Sequence, residues 1–107
     1  MATYVPTQLR TPTAITASAA TVYTPSGATT GIIRTFVFNT LTAHSVSLSI
    51  GADAVGTRIL DAYLLTVSIP YIVNGWYVVP NGVNVQAKAD SIATNAPVFG
   101  AWGYEYS

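Results

Sequence analysis

Few side chains in this sequence are suited to reactive chemistry. There is one histidine, His44, four carboxylates, Asp53, Asp61, Asp90 and Glu105, and no cysteine. A Ser-His-Asp site would have to use His44, but no Gly-x-Ser-x-Gly elbow accompanies it. His44 lies in Leu41-Thr42-Ala43-His44-Ser45, ahead of an alternating segment, where a surface loop position is expected. The four carboxylates show no paired spacing for general acid–base work. Asp61 follows Arg58 by three residues, which suits a local ion pair on a helix. Asp53 and Asp90 stand beside turn-forming segments. Asp53 with nearby carbonyls is the one calcium candidate, but the EF-hand spacing is absent. Zinc would need more His or Cys, and no glycine-rich loop matches a phosphate cradle. No catalytic residue, metal ligand or cofactor is assigned, and the chain reads as a non-enzyme.

The aromatic residues are the remaining candidates. Trp76, Tyr77, Trp102, Tyr104 and Tyr106 suit either a core or subunit interface, where Trp and Tyr are enriched, or a stacking platform for sugars on a sheet face. Few Asp, Asn or Arg neighbours are available in sequence to bind sugar hydroxyls, which favours core or interface.

The segments that must position these residues alternate at period two rather than 3.6. In Ser45-Val46-Ser47-Leu48-Ser49-Ile50, the apolar residues are expected to face a core and the three serines water. Val83 to Ala89 repeats the pattern. Gly31 to Asn39 reads as a strand covered on both sides, with Phe36 and Phe38 on one face and Ile33, Thr35 and Val37 on the other. Tyr71 to Val79 ends at Pro80-Asn81-Gly82, good turn chemistry, so residues 76–79 and 83–89 are predicted to form an antiparallel hairpin. Asn74-Gly75 is expected to be a bulge or bend. Val98 to Tyr106 is the last strand, with Trp102, Tyr104 and Tyr106 sharing a face. A further strand near Ala19 to Thr24 closes at Pro25-Ser26-Gly27. Over residues 54–63 a short helix and a strand fit equally well. Pro6 and Pro12 exclude a helix at the start, where residues 1–14 are expected to be an extended arm. The prediction is an all-β antiparallel sandwich, jelly-roll-like, of six to eight strands over residues 15–107.

Composition narrows the partners. Only four basic and four acidic residues occur among 107, so the net charge is zero. A fold of this mass exposes about 5,700 Å², or about one charge per 700 Å². Phosphate binding needs clustered cations, whereas Arg10, Arg34, Arg58 and Lys88 are scattered; nucleic acid is not an expected partner. Nor is a membrane, since no apolar run approaches about 18 residues. The opening residues lack the basic and apolar regions of a secretory signal. A neutral surface favours association, so homo-oligomerisation is expected.

The order of segments from about residue 20 to 106 resembles small virion proteins of tailed bacteriophages. The resemblance is carried by Val22-Tyr23-Thr24-Pro25-Ser26-Gly27 leading into Gly31-Ile32-Ile33-Arg34, by Asn39-Thr40, and by Val46-Ser47-Leu48-Ser49-Ile50. It continues through Gly51-Ala52-Asp53-Ala54, Arg58-Ile59-Leu60-Asp61-Ala62-Tyr63, Asn74-Gly75-Trp76 and Gln86-Ala87-Lys88-Ala89. It implies a β-sandwich structural protein of the virion, assembled in the host bacterial cytoplasm. The expected role is capsid decoration or cement, with copies of itself and the major capsid protein as partners. The alternative it leaves is a carbohydrate- or receptor-binding module at a tail tip or fibre. It carries no residue-level site.

Overall fold

Alternating side chains, with turns rich in Gly, Pro and Ser between them, fold the described residues into eight strands. They are β1 (Thr7–Ala14), β2 (Ala20–Tyr23), β3 (Thr30–Asn39), β4 (Ser45–Ile50), β5 (Arg58–Leu64), β6 (Tyr71–Val79), β7 (Val85–Ala89) and β8 (Val98–Tyr106). The structure is a computed structural model that describes residues 7–90 and 95–106. Two four-stranded antiparallel sheets form, ordered β1-β8-β3-β6 (sheet I) and β2-β7-β4-β5 (sheet II). The pairs β1–β8, β2–β7, β3–β6 and β4–β5 are those of one long hairpin rolled up on itself. That is the jelly roll, as the sequence led us to expect.

The core lies between the sheets. Phe36, Phe38 and Phe99 come from sheet I and are essentially inaccessible, as are Val46, Leu48 and Val85 from sheet II. The three Phe rings meet at centroid distances of 5.1–6.3 Å, with the Phe36–Phe38 pair edge-on. Burying each such side chain is worth about 1.5–3 kcal/mol, so this cluster anchors the fold.

Two bulges decide which side chains reach the core. Between Ile33 and Thr35, β6 steps from Tyr77 to Asn74, one residue more than β3. The expected irregularity at Asn74-Gly75 is therefore present. Over the same interval β8 steps only from Gly103 to Trp102, so Arg34 is an extra residue of β3 on that side. The extra residue reverses the alternation. Ile33 joins Phe36 and Phe38 in the core, whereas strict alternation had assigned it to the opposite face with Thr35 and Val37. At the same place β3 and β8 approach closely: a Cβ on Gly103 would lie 1.9 Å from the Ile32 carbonyl oxygen, so only glycine fits.

Other expectations are corrected. β6 and β7 are not a hairpin. The turn at Pro80-Asn81-Gly82 exists, closed by Val83 N–H donating to the Pro80 carbonyl, with Gly82 at positive φ. It carries the chain from sheet I to sheet II instead, where β7 pairs with β2 and β4 while β6 pairs with β3. Ser47 and Ser49 are buried rather than wet, because side chains from neighbouring strands cover the outer face of β4. Residues 7–14 of the expected arm form β1, an edge strand paired to β8, with Leu9 packed on the core. Pro12 is tolerated because an edge strand can lack a donor on its outer side; residues 1–6 lie outside the described residues. Over 54–63 a single 3-10 turn (Val55–Thr57) leads into strand β5. Leu48 needs a cross-strand neighbour there, and Leu60 supplies it.

Candidate functional site

The outer face of sheet I holds a concentration of exposed apolar surface. The alternation of β6 and β8 turns Trp76, Tyr104 and Tyr106 outward beside Ile32 from β3. Together these four line a shallow cleft of about 290 Å³. Trp76 is 65% exposed, and Ile72 and Val78 on the same strand are also more than half exposed. Trp76 and Tyr104 stack with centroids 6.4 Å apart and planes inclined by 26°.

Arg34 fixes this arrangement. Its Nε donates to the Gly75 carbonyl at 2.9 Å, and its guanidinium carbon sits 3.7 Å from the Trp76 ring centroid. The cation attracts the negative ring face and occupies one side of the indole. Arg34 reaches this position because it is the extra residue of β3. Sequence alternation gave no signal for it, although Asn74-Gly75 marked the facing bulge.

The five predicted aromatics therefore separate. Trp76, Tyr104 and Tyr106 share the cleft. Trp102 lies on the same face but folds back over Gly100, where an added Cβ would come within 3.1 Å of its ring and 3.3 Å of Pro12. Tyr77 faces the core, tilted against Phe36 at 5.6 Å. The sequence reading missed Ile32, Ile72 and Val78, which looked like ordinary strand-core residues.

The outer face of sheet II is different in kind. Asp53 accepts from Arg58 through both carboxylate oxygens, at 2.9 and 3.1 Å, and Lys88 Nζ lies 3.3 Å away. Arg58 also pairs with Asp61, as the sequence suggested, although on a strand rather than a helix. Arg58 chiefly, with Lys88, holds the Asp53 carboxyl below the usual carboxylate range. These charges roof the buried hydroxyls. Ser47 Oγ accepts from Ala62 N–H at 2.9 Å, and Ser49 Oγ donates to the Gly51 carbonyl at 3.0 Å. Asp53, the calcium candidate, thus has its oxygens engaged by cations. Among the described residues no three His, Cys, Asp or Glu groups cluster to hold a metal.

His44 is not a surface loop residue. It is buried, with Nδ1 2.9 Å from Asp90 Oδ1, and it ties the start of β4 to the end of β7. Glu105 lies at the end of β8 toward the sheet interior. It accepts from the Tyr23 hydroxyl at 2.6 Å and from the Ser26 hydroxyl and N–H at 2.7 and 3.0 Å. The Tyr23 bond first, then Ser26, lowers its carboxyl below the ordinary range. Burial, reinforced by Glu105, raises the Tyr23 phenol. These contacts fasten the β2–β3 turn to sheet I.

No family model matches the chain, and neither the curated proteins nor the solved structures contain a match to it.

Proposed function

We propose that this chain is a structural protein of a tailed-bacteriophage virion, a capsid decoration or cement component that seats the outer face of sheet I on a neighbouring virion protein. The observation that carries this reading is that face itself. It is broad, apolar and aromatic, and among the described residues the one charged side chain beside the cleft, Arg34, is already stacked on Trp76. Covering it costs little charge desolvation. The order of segments over residues 20–106 supports the virion setting, and jelly rolls serve widely in viral capsids, which is an analogy of fold. The mechanism is mechanical: apolar contact holds the subunit to a lattice.

The test has two parts. In virions purified from the source, quantitative mass spectrometry should find hundreds of copies per particle. A dozen or fewer would place the protein at a neck or tail. Separately, Trp76→Ser with Tyr104→Ser should abolish binding to capsids that lack the protein, while the variant stays folded. Undiminished binding would remove this face from the reading.

The exposed Trp76–Tyr104 stack also favours a second reading, a carbohydrate-binding module at a tail tip or fibre. Its cleft has few polar groups for sugar hydroxyls, and Arg34 takes one side of the indole. A glycan-array signal lost on Trp76→Ala without unfolding would establish this alternative.

A further inference from the structure

A sandwich has four edge strands, and an unprotected edge is a template for another strand. Here three of the four are visibly blunted. β1 contains Arg10 and Pro12 and breaks register twice against β8. β2 has only four residues. β5 carries the Arg58–Asp61 pair, breaks register twice against β4, and has Ala62 at φ 47°. β6 is the exception. It is nine residues long, Tyr-Ile-Val-Asn-Gly-Trp-Tyr-Val-Val, with no charge and no proline. It pairs with β3 on one side, and among the described residues no strand pairs with the other. Its one irregularity, at Gly75, is on the β3 side and is stitched by Arg34.

We infer that β6 is the contact strand of a two-fold homodimer, pairing antiparallel with β6 of a second copy to join two four-stranded sheets into one of eight. The occupant is a second copy because the edge is self-complementary. An antiparallel pair about a two-fold axis presents the same strand to itself, and residues near the axis meet their own counterparts. A charge there would face its like, which is destabilising; the centre of β6 is Asn74-Gly75-Trp76, all neutral. The area also suffices. Nine residues at about 3.4 Å form a strip about 30 Å long on a sandwich side about 20 Å thick. That buries about 600 Å² per copy, or about 1,200 Å² in total, the lower bound for a specific interface. Ile72 is exposed on β6 itself, and exposed Ile69 precedes the strand by two residues, so both can add apolar contact. The stacked Tyr63 and Tyr71 rings, 4.2 Å apart, close the gap between β5 and β6 beneath them. This inference does not depend on the virion reading, and docking through the cleft stands or falls separately.

The experiment uses the full chain, whose lack of cysteine makes single labels unique. Sedimentation at about 100 µM, well above a micromolar dissociation constant, should show a dimer. Nitroxides on Asn74→Cys, or on Ile72→Cys if the first is unstable, should then lie within about 20 Å of each other. Labels on Thr11→Cys in β1 should be about 34 Å apart, seven strand spacings across an eight-stranded sheet. Ile72→Lys with Val78→Lys should weaken dimerisation at least about tenfold while the circular dichroism is unchanged, since lysine is a common edge protector. Tyr104→Ser, two strands away, should leave the dimer intact. A monomer at that concentration overturns the inference, as does a dimer whose β6 labels are beyond about 30 Å.

Discussion

The two outer faces of this sandwich do opposite things with the same small supply of charge. Sheet II gathers Asp53, Asp61, Arg58 and Lys88 over β4 and uses them to roof buried serine hydroxyls. Sheet I leaves its outer face to Ile32, Trp76, Tyr104 and Tyr106, with Arg34 pressed flat on an indole. One face ties its charged groups to one another across β5 and β7. The other exposes apolar surface that a partner would cover. A neutral composition therefore conceals a division of labour: charge is spent on one side so that the other can be sticky.

The sharpest way to break this contrast is to truncate aromatic residues on the two sides of sheet I. Phe36→Ala, on the core side, should cost about 3–5 kcal/mol in urea unfolding. Trp76→Ala, on the outer side, should cost less than about 1 kcal/mol while abolishing docking. If both cost the same, the outer aromatics hold the fold and the contrast fails.

Acid should separate the faces next. Asp53 and Glu105 have folded pKa values below their ordinary 3.8 and 4.5. Their stabilisation is thus complete above those ordinary values and lost as pH falls through the folded ones. The contribution of these two carboxylates, read as the melting-temperature difference from Asp53→Asn with Glu105→Gln, should be constant from neutral pH down to about pH 5 and shrink below about pH 4. Docking measured between pH 5 and 8 should not change, since among the described residues no Asp or Glu lines the cleft. A docking midpoint within that range would show a titrating group on the face.

Glu105→Gln leaves the Tyr23 hydroxyl and Ser26 groups with a weaker acceptor. It should cost about 1–2 kcal/mol at neutral pH, shrinking toward zero in acid. A constant deficit at all pH values would mean that packing, not charge, is lost. The smallest effect belongs to Asp61→Asn. Its carboxylate is 62% exposed, and exposed pairs contribute about 0–1 kcal/mol. Molar salt should erase even that, whereas capsid binding should resist the same salt.

The fold was largely legible because alternation is a local signal. Val46, Leu48, Val85, Ala87 and Phe99 all face inward as period two dictates. What alternation cannot carry is a change of phase. The extra residue Arg34 moved Ile33 into the core, and nothing in Gly31 to Asn39 marks it, because a bulge is defined by the partner strand. The same limit hid the pairing of β6. Pro80-Asn81-Gly82 reads as a turn and is one, but turn chemistry does not say whether the next strand returns to its own sheet. The candidate site was half legible. Tyr104 and Tyr106 share a face that the alternation of β8 displays, whereas their meeting with Trp76 depends on register across β3, and Tyr77, grouped with them as a candidate, belongs to the other face. Lys88 joined the Asp53 cluster from a distant strand, a contact no spacing rule reaches.

The rolled-hairpin order also sets a timetable for synthesis. Of the strand pairs, only β4–β5 joins neighbours in the chain, and β3 waits for β6 and β8. Sheet I cannot close until residues 98–106 have left the ribosome. At about 5–20 residues per second, the roughly 20 residues between β6 and the start of β8 take about 1–4 s to make. For that interval β6 has no charge and no settled β3–β8 sheet beside it. Its early exposure makes it the segment most in need of a chaperone, and crowded overexpression of this chain should deposit aggregates nucleated there.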